Sequence, residues 1–188
     1  GLKNYSQLTS INIDFAFCKQ ITAATMGHLC FQGLKYLPQL TSLTLSFPWC
    51  QQITDHGIGY LCQEGLKHLT KLTSLSLDFE GCERVSDQGL KILSSKGLKY
   101  LSKLTLLDLN FYQCLLITDA GIIDLSAQGL KEIVQLSSLR LSFAKCFKVT
   151  ATPVENLWNH LLDNHTNLTS LNLSFAECTE VKTKGINE

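Results

Sequence analysis

One motif, GLK-x-L-x-x-L-T-S-L-x-L-x-F-x-x-C-x-x-I-T-D-x-G-I-x-x-L, recurs along the chain at a fixed spacing of 32 residues. Its units begin at Gly1, Gly33, Gly65, Gly97, Gly129 and Leu161. Self-similarity at such a period is the signature of a solenoid, in which each unit buries its apolar face only against its neighbours. The expected organisation is therefore a single domain over residues 1–188, with repeats 1–32, 33–64, 65–96, 97–128, 129–160 and 161–188. The chain opens in phase with a repeat and stops inside one, without a polar capping unit, so it is expected to be a segment of a longer protein.

Within each unit a short stretch alternates apolar and polar residues: Leu43 to Phe47, Leu75 to Phe79, Leu107 to Phe111, Leu139 to Phe143 and Leu171 to Phe175. Alternation with period two predicts a half-buried strand with Leu and Phe inward. One strand per unit, repeated in register, pairs with the copies before and after it, which gives a parallel sheet along the solenoid. Next comes Ile53-Thr54-Asp55-His56-Gly57-Ile58, echoed at Val85 to Leu90 and Ile117 to Ile122. Thr or Asp before an apolar-periodic stretch predicts a helix start. Ile58, Leu61, Leu66, Leu69 and Leu72 follow at near-helical spacing, and the helix either runs through Gly65 or breaks there. The lysines at the third position of five units (Lys3, Lys35, Lys67, Lys99 and Lys131) fall late in this stretch, where positive charge suits a helix C-terminus.

The string L-x-L-x-F-x-x-C-x-x-I-T-D-x-G-I-x-x-L resembles the cysteine-containing class of leucine-rich repeat found in the substrate-binding half of F-box proteins. The resemblance covers the whole chain and is strongest from Leu45 through Leu61 and in the next two units. It implies an α/β horseshoe with the parallel sheet on the concave face and helices on the convex face. The units carry about six residues more than is usual for the class, placed in the helix, which is similar to the ribonuclease-inhibitor class. The motif decays at Ala23 and Thr25 in the first unit and at Ala151 and Pro153 in the fifth.

Six of eight cysteines, Cys18, Cys50, Cys82, Cys114, Cys146 and Cys178, share one repeat phase. They are expected to stack as buried thiols offering a weak S–H donor to neighbouring backbone. Parallel side chains in one ladder are poorly placed for disulfides, and metal binding is the minor alternative. Reduced cysteines in this number point to an intracellular, cytoplasmic setting. Cys30 and Cys62 share a second phase, on the helix, and are read as packing residues. The sequons at Asn4, Asn164, Asn167 and Asn172 are discounted as chance matches, Asn172 being placed on the sheet.

Sixteen basic against sixteen acidic side chains leave no net charge to attract nucleic acid or anionic lipid. No apolar run approaches the roughly 20 residues that span a bilayer. The histidines His28, His56, His68, His160 and His165 form no column, and His160 and His165, five apart, do not share a helical face. No phosphate-binding glycine loop, G-x-S-x-G or CxxC occurs. The expectation is a chain that is no enzyme and takes no cofactor or metal.

Its partner is expected to be a protein, bound on the concave face. The outward strand positions vary between units while the inward ones repeat, which separates a scaffold from a surface free to differ. Candidate anchors are Trp49, Phe17, Tyr112 and Arg140, because aromatics and Arg bury most surface for the ordering they cost. Asp14, Asp78 and Asp108 form an expected acidic set. Phe17 and Trp49 have an equal claim to be edge core residues. The resemblance implies substrate capture for a ubiquitin ligase as one specific form of this function. The targeting arm of a kinase or other enzyme is a second form, and a ribonuclease-inhibitor-like enzyme inhibitor is a third.

Overall fold

The structure, a computed structural model, describes residues 2–178 without the side chain of Lys3. Six strands form one parallel sheet in sequence order: β1 (Ser10–Asp14), β2 (Ser42–Ser46), β3 (Ser74–Asp78), β4 (Leu106–Asn110), β5 (Ser138–Ser142) and β6 (Ser170–Ser174). Each strand is in register with its copy one repeat on, so Leu45 lies beside Leu77 and Leu77 beside Leu109. The alternation does what the pattern requires: Leu43, Leu45 and Phe47 are buried while Thr44 and Ser46 are half-buried on the other face.

On the inner side, identical residues stack into columns. Phe15, Phe47, Phe79, Phe111, Phe143 and Phe175 form an unbroken stack with ring centroids 5.4 to 5.7 Å apart. Each such aromatic contact adds roughly 1 kcal/mol beyond the area it buries. Beside the stack, the thiols of Cys50, Cys82, Cys114, Cys146 and Cys178 donate to the Phe carbonyl one repeat back, at 3.1 to 3.3 Å. Burial pushes the Cys82 and Cys146 thiols up to about 12, and that of Cys114 well above its ordinary value. Cys18 departs from the expected buried column: it is exposed, with no Phe carbonyl of an earlier unit beside it among the described residues. The Thr of the L-T-S motif forms a further ladder, Thr41, Thr73, Thr105 and Thr169 donating their hydroxyls to the carbonyl 32 residues earlier.

The helices are α1 (Ala23–Gln32), α2 (Asp55–Tyr60), α3 (Asp87–Ile92), α4 (Asp119–Asp124) and α5 (Ala151–Asn164). After α2, α3 and α4 the helix neither continues regularly nor breaks. It widens into a π turn (Leu61–Gly65, Leu93–Gly97, Leu125–Gly129) and then tightens into a 3₁₀ turn. The glycine allows this: a Cβ on Gly97 would lie 2.8 Å from the Sγ of Cys62, and one on Gly129 3.0 Å from the Oγ of Ser94. At the start of the sixth unit Leu161 stands in the place of that glycine, and α5 runs as an ordinary α-helix to Asn164.

The Thr-Asp-x-Gly motif does more than start a helix. The Asp55 carboxylate accepts from the amide and hydroxyl of Ser86, Asp87 from those of Thr118, and Asp119 from those of Thr150, at 2.7 to 2.9 Å. Gly89 and Gly121 make room, since Cβ atoms there would lie 2.6 and 2.5 Å from the Oδ1 of Asp55 and Asp87. The motif is thus a latch between successive repeats, and it is missing where Ala23 and Ala151 stand in place of Asp.

Strands pack about 4.8 Å apart and helices about 8 to 10 Å apart. With one of each per repeat, the stack must curve with the sheet on the inside and its strand residues facing the hollow.

Candidate interaction surface

The concave face is the side of the sheet that carries no helix, and the outward strand residues are held there by the register alone. Ser76, Asp108 and Arg140 lie side by side across β3, β4 and β5, as do Asp78, Asn110 and Ser142. Together with Leu77 they line a shallow depression of about 260 Å³. Arg140 Nη1 stands 3.9 Å from Asp108 Oδ2, with the Arg side chain 62% exposed. A pair so long and so open contributes at most a few tenths of a kcal/mol, which leaves both groups available to an incoming partner.

Burial raises the carboxyls of Asp78 and Asp108 above the ordinary carboxylate range. For Asp108 the Arg140 guanidinium offsets part of the rise. For Asp78 the carboxylates of Glu80 and Asp108 add to it, while hydrogen bonds from the Glu80 amide and the Asn110 side chain oppose it.

The structure does not gather the expected acidic set. Asp78 and Asp108 share the depression, but Asp14 lies on β1, with β2 and its uncharged Thr44 and Ser46 in between. Asp14 and Asp78 also serve the backbone. Each accepts from the amide two residues on, Ala16 and Glu80, as Asn110 accepts from Tyr112. These bonds steer the chain into the turn that follows the strand.

That turn forms the rim. At the same position in every unit the backbone is left-handed: Phe17, Trp49, Gly81, Gln113, Lys145 and Glu177 have φ between 58° and 65°. For a residue with a Cβ this region costs about 1–2 kcal/mol, and five of the six accept the cost. The rim amides extend the sheet ladder, Phe17, Trp49, Gly81, Gln113 and Lys145 each donating to a carbonyl of the next unit at 2.6 to 2.8 Å.

Of the candidate anchors, Phe17 projects from the rim 70% exposed, so it is not an edge core residue. Trp49 is half-buried, its ring lying on the α-carbon of Gly81, where a Cβ would come within 2.5 Å of the indole. Tyr112 is half-buried beneath Lys145, whose Nζ is 5.2 Å from the ring centroid and 3.7 Å from Glu177 Oε1. Trp49, Tyr112 and Lys145 belong to the rim and its turn and are not among the residues that line the depression, and Phe17 stands at the first unit.

The helical face carries a cluster that periodicity does not single out. Phe31 and Tyr60 meet edge-on with centroids 6.0 Å apart, and Lys35 lies over Phe31 and Tyr36 at 5.5 and 5.0 Å. These residues occupy different repeat phases, so only the packing of α1 against α2 brings them together. Among the described residues no group of three or more His, Cys, Asp or Glu is placed to hold a metal ion, and no helix is long and apolar enough to cross a membrane.

No protein-family model matches the chain, and no curated protein sequence does. Among solved structures it is similar to the crystal structure of the Rad7 and Elc1 complex in yeast, with 25% sequence identity over 81% of this chain and a TM-score of 0.52. The match spans 33% of that neighbour's chain, so the sequence in hand corresponds to about a third of its length. With the six-stranded parallel sheet and its repeating strand–helix units, this similarity establishes the fold as a leucine-rich-repeat solenoid.

Proposed function

We propose that this chain is a protein-recognition module that captures its partner on the concave face, within a larger protein. The observation that carries the reading is the contrast between the two faces of the strands. The inward positions repeat Leu, Leu and Phe from unit to unit, while the outward neighbours run Thr44, Ser76, Asp108, Arg140 and Asn172. Packing explains the constancy of the first set and imposes nothing on the second, so the second is available for specificity. A rigid curved sheet also loses little backbone freedom on binding, because its strands are fixed by the repeat stack. The structural neighbour, a protein solved in complex with another, supports a protein-interaction role.

Within this reading Asp78, Asp108 and Arg140 supply polar selection at the centre of the face, and Trp49 and Tyr112 supply apolar contact from the rim. The cysteine column, with each buried S–H turned onto a Phe carbonyl, supports assignment to the cysteine-containing class and a reducing, intracellular setting. Resemblance to that class favours substrate capture for an F-box-type ubiquitin ligase over a kinase targeting arm. A ribonuclease-inhibitor-like role has less support, since the depression mixes charges of both signs instead of presenting one strong field.

The test is capture of partners from an extract of the native source by the parent, by Asp108→Lys, by Arg140→Glu and by a helical-face control, Lys91→Glu. Partners retained by the parent and the control but lost by both concave-face variants, at unchanged melting temperature, support the reading. Equal capture by all four proteins would move the interface off the concave face.

A further inference from the structure

The column Leu37, Leu69, Leu101, Ile133 runs along the solenoid at the repeat spacing, each side chain fully buried. Its fifth member is His165, only 3% exposed. The backbone there keeps the column's role, the His165 carbonyl accepting from the Leu168 amide at 3.1 Å as Leu69 accepts from Leu72 at 3.0 Å. Only the side chain is out of character. An imidazole fills a leucine's place, and both of its nitrogens are closed off from solvent without a hydrogen-bond partner among the described residues.

A second histidine lies against it. The His160 ring meets that of His165 edge-on with centroids 5.8 Å apart, and its Nε2 is likewise buried and unpartnered. The other ring nitrogen, Nδ1, stands 3.4 Å from Asn164 Nδ2. The charged groups in electrostatic reach are few. Asp163 on α5 favours the protonated form of His160 and Lys131 of the preceding repeat opposes it, while the group that bears on His165 is His160 itself. Burial is the largest influence on both rings and holds both below the ordinary His value of 6.5.

Ala151 stands where the preceding units carry the latching Asp, so the start of α5 offers no carboxylate to the repeat that follows. Between α5 and β6 the seat of His165 at the end of the leucine column fixes the chain, and beyond it the β5–β6 ladder, the Thr169 hydroxyl and the Phe143–Phe175 stack join the strand to the fifth unit.

We propose that the His160–His165 pair makes the seating of the sixth repeat depend on pH. With both imidazoles neutral the His165 ring fills the column with the His160 ring against it, and uptake of a proton by either unseats His165, releasing the end of α5 and the strand that follows. Both groups are harder to protonate folded than unfolded. Their contribution is therefore fully present above the unfolded value of about 6.5 and is lost as pH falls below it. In that range the opening equilibrium rises up to about tenfold per pH unit for each proton taken up.

The test is amide hydrogen exchange of the whole chain between pH 7.5 and 5.0, corrected for the intrinsic pH dependence of exchange. Ser74–Asp78 of β3 serves as internal reference. Opening of Ser170–Ser174 is expected to rise more than tenfold on acidification while β3 stays constant, and His165→Leu is expected to abolish the rise and protect β6 at every pH. His160→Gln should reduce the response, and the His165 ring proton should titrate below the ordinary value in the parent. A pH-independent β6, or an equal response in parent and His165→Leu, overturns the proposal. Should His165→Leu fail to fold, titration of His165 at the ordinary value in the parent overturns it equally.

Discussion

The Asp87 carboxylate reaches one repeat forward and closes on Thr118, accepting from its amide at 2.8 Å and from its hydroxyl at 2.7 Å. The Gly121 amide adds a third bond at 3.1 Å. Three donors that a helix start would otherwise leave to water are thus satisfied by a neighbouring unit. The expected cost of Asp87→Ala is about 2–3 kcal/mol, because hydrogen bonds to a charged acceptor are the stronger kind and half-buried donors are left unpaired. Thr118→Val should cost less: it removes the hydroxyl's bond to Asp87 and its cap on the Ala120 amide, but leaves the two amide bonds to the carboxylate in place. Urea unfolding of the two variants checks the order, and an Asp87→Ala midpoint equal to that of the parent would remove the latch from the account of stability.

Gly81 is the one rim position where a side chain has no room. Its φ of +65° disfavours a Cβ, and the Trp49 ring already lies on the α-carbon. Gly81→Ala is expected to destabilise by about 1–2 kcal/mol from the backbone alone and to lift the indole into solvent. In a Trp158→Phe background Trp49 is the sole emitter, so the substitution should shift its fluorescence to the red. An unshifted spectrum would mean that the ring does not rest on Gly81.

The fold was legible because its signals are local and repeated. Alternation marks Leu43, Leu45 and Phe47 as inward in every unit, and the period alone dictates which strands pair. The latch was not legible, since Asp87 and Thr118 lie 31 residues apart and each taken alone has an ordinary reason to precede a helix. The rim was hidden for a related reason. A left-handed turn is announced by Gly or Asn, and Phe17, Trp49, Gln113, Lys145 and Glu177 carry no such mark, because the inter-repeat ladder holds the conformation instead of local preference. Outward positions were identified by parity, yet parity could not tell that Asp14 stands apart from Asp78 and Asp108. His160 and His165, five residues apart, are brought together only because α5 ends between them at Asn164.

Thiol reactivity should divide the eight cysteines sharply. Cys18 is exposed, whereas Cys30 and Cys82 are buried and their thiols pushed up to about 12, chiefly by burial. The thiolate is the nucleophile, so at pH 8 a buried protonated thiol reacts only when its repeat opens. The native protein should consume one equivalent of a disulfide reagent at once and the remainder at the rate of unfolding. A Cys18→Ser variant should lose the fast phase entirely, and a fast phase that survives would place a second accessible thiol in the native fold.

The sharpest check on the sheet compares two adjacent residues of β4. Leu109 is fully buried in the core, and Asn110 faces the concave side, half-exposed. Leu109→Asp puts a carboxylate among Leu77, Leu141 and the Phe stack with no partner, a cost of at least several kcal/mol, enough to unfold much or all of the solenoid because each repeat leans on the next. Asn110→Asp adds the same charge one residue along. It keeps the acceptor for the Tyr112 amide and meets water, at the lesser price of repulsion from Glu80 and Asp78. That repulsion weakens at acid pH, as Asp78, which burial makes harder to ionise, takes up its proton. Asn110→Asp should therefore melt within a few degrees of the parent and approach it more closely as the medium is made acidic, while Leu109→Asp shows little native circular dichroism at any pH. Equal melting of the two variants would mean that the strand does not present alternate faces to core and solvent, and the concave surface built on that alternation would go with it.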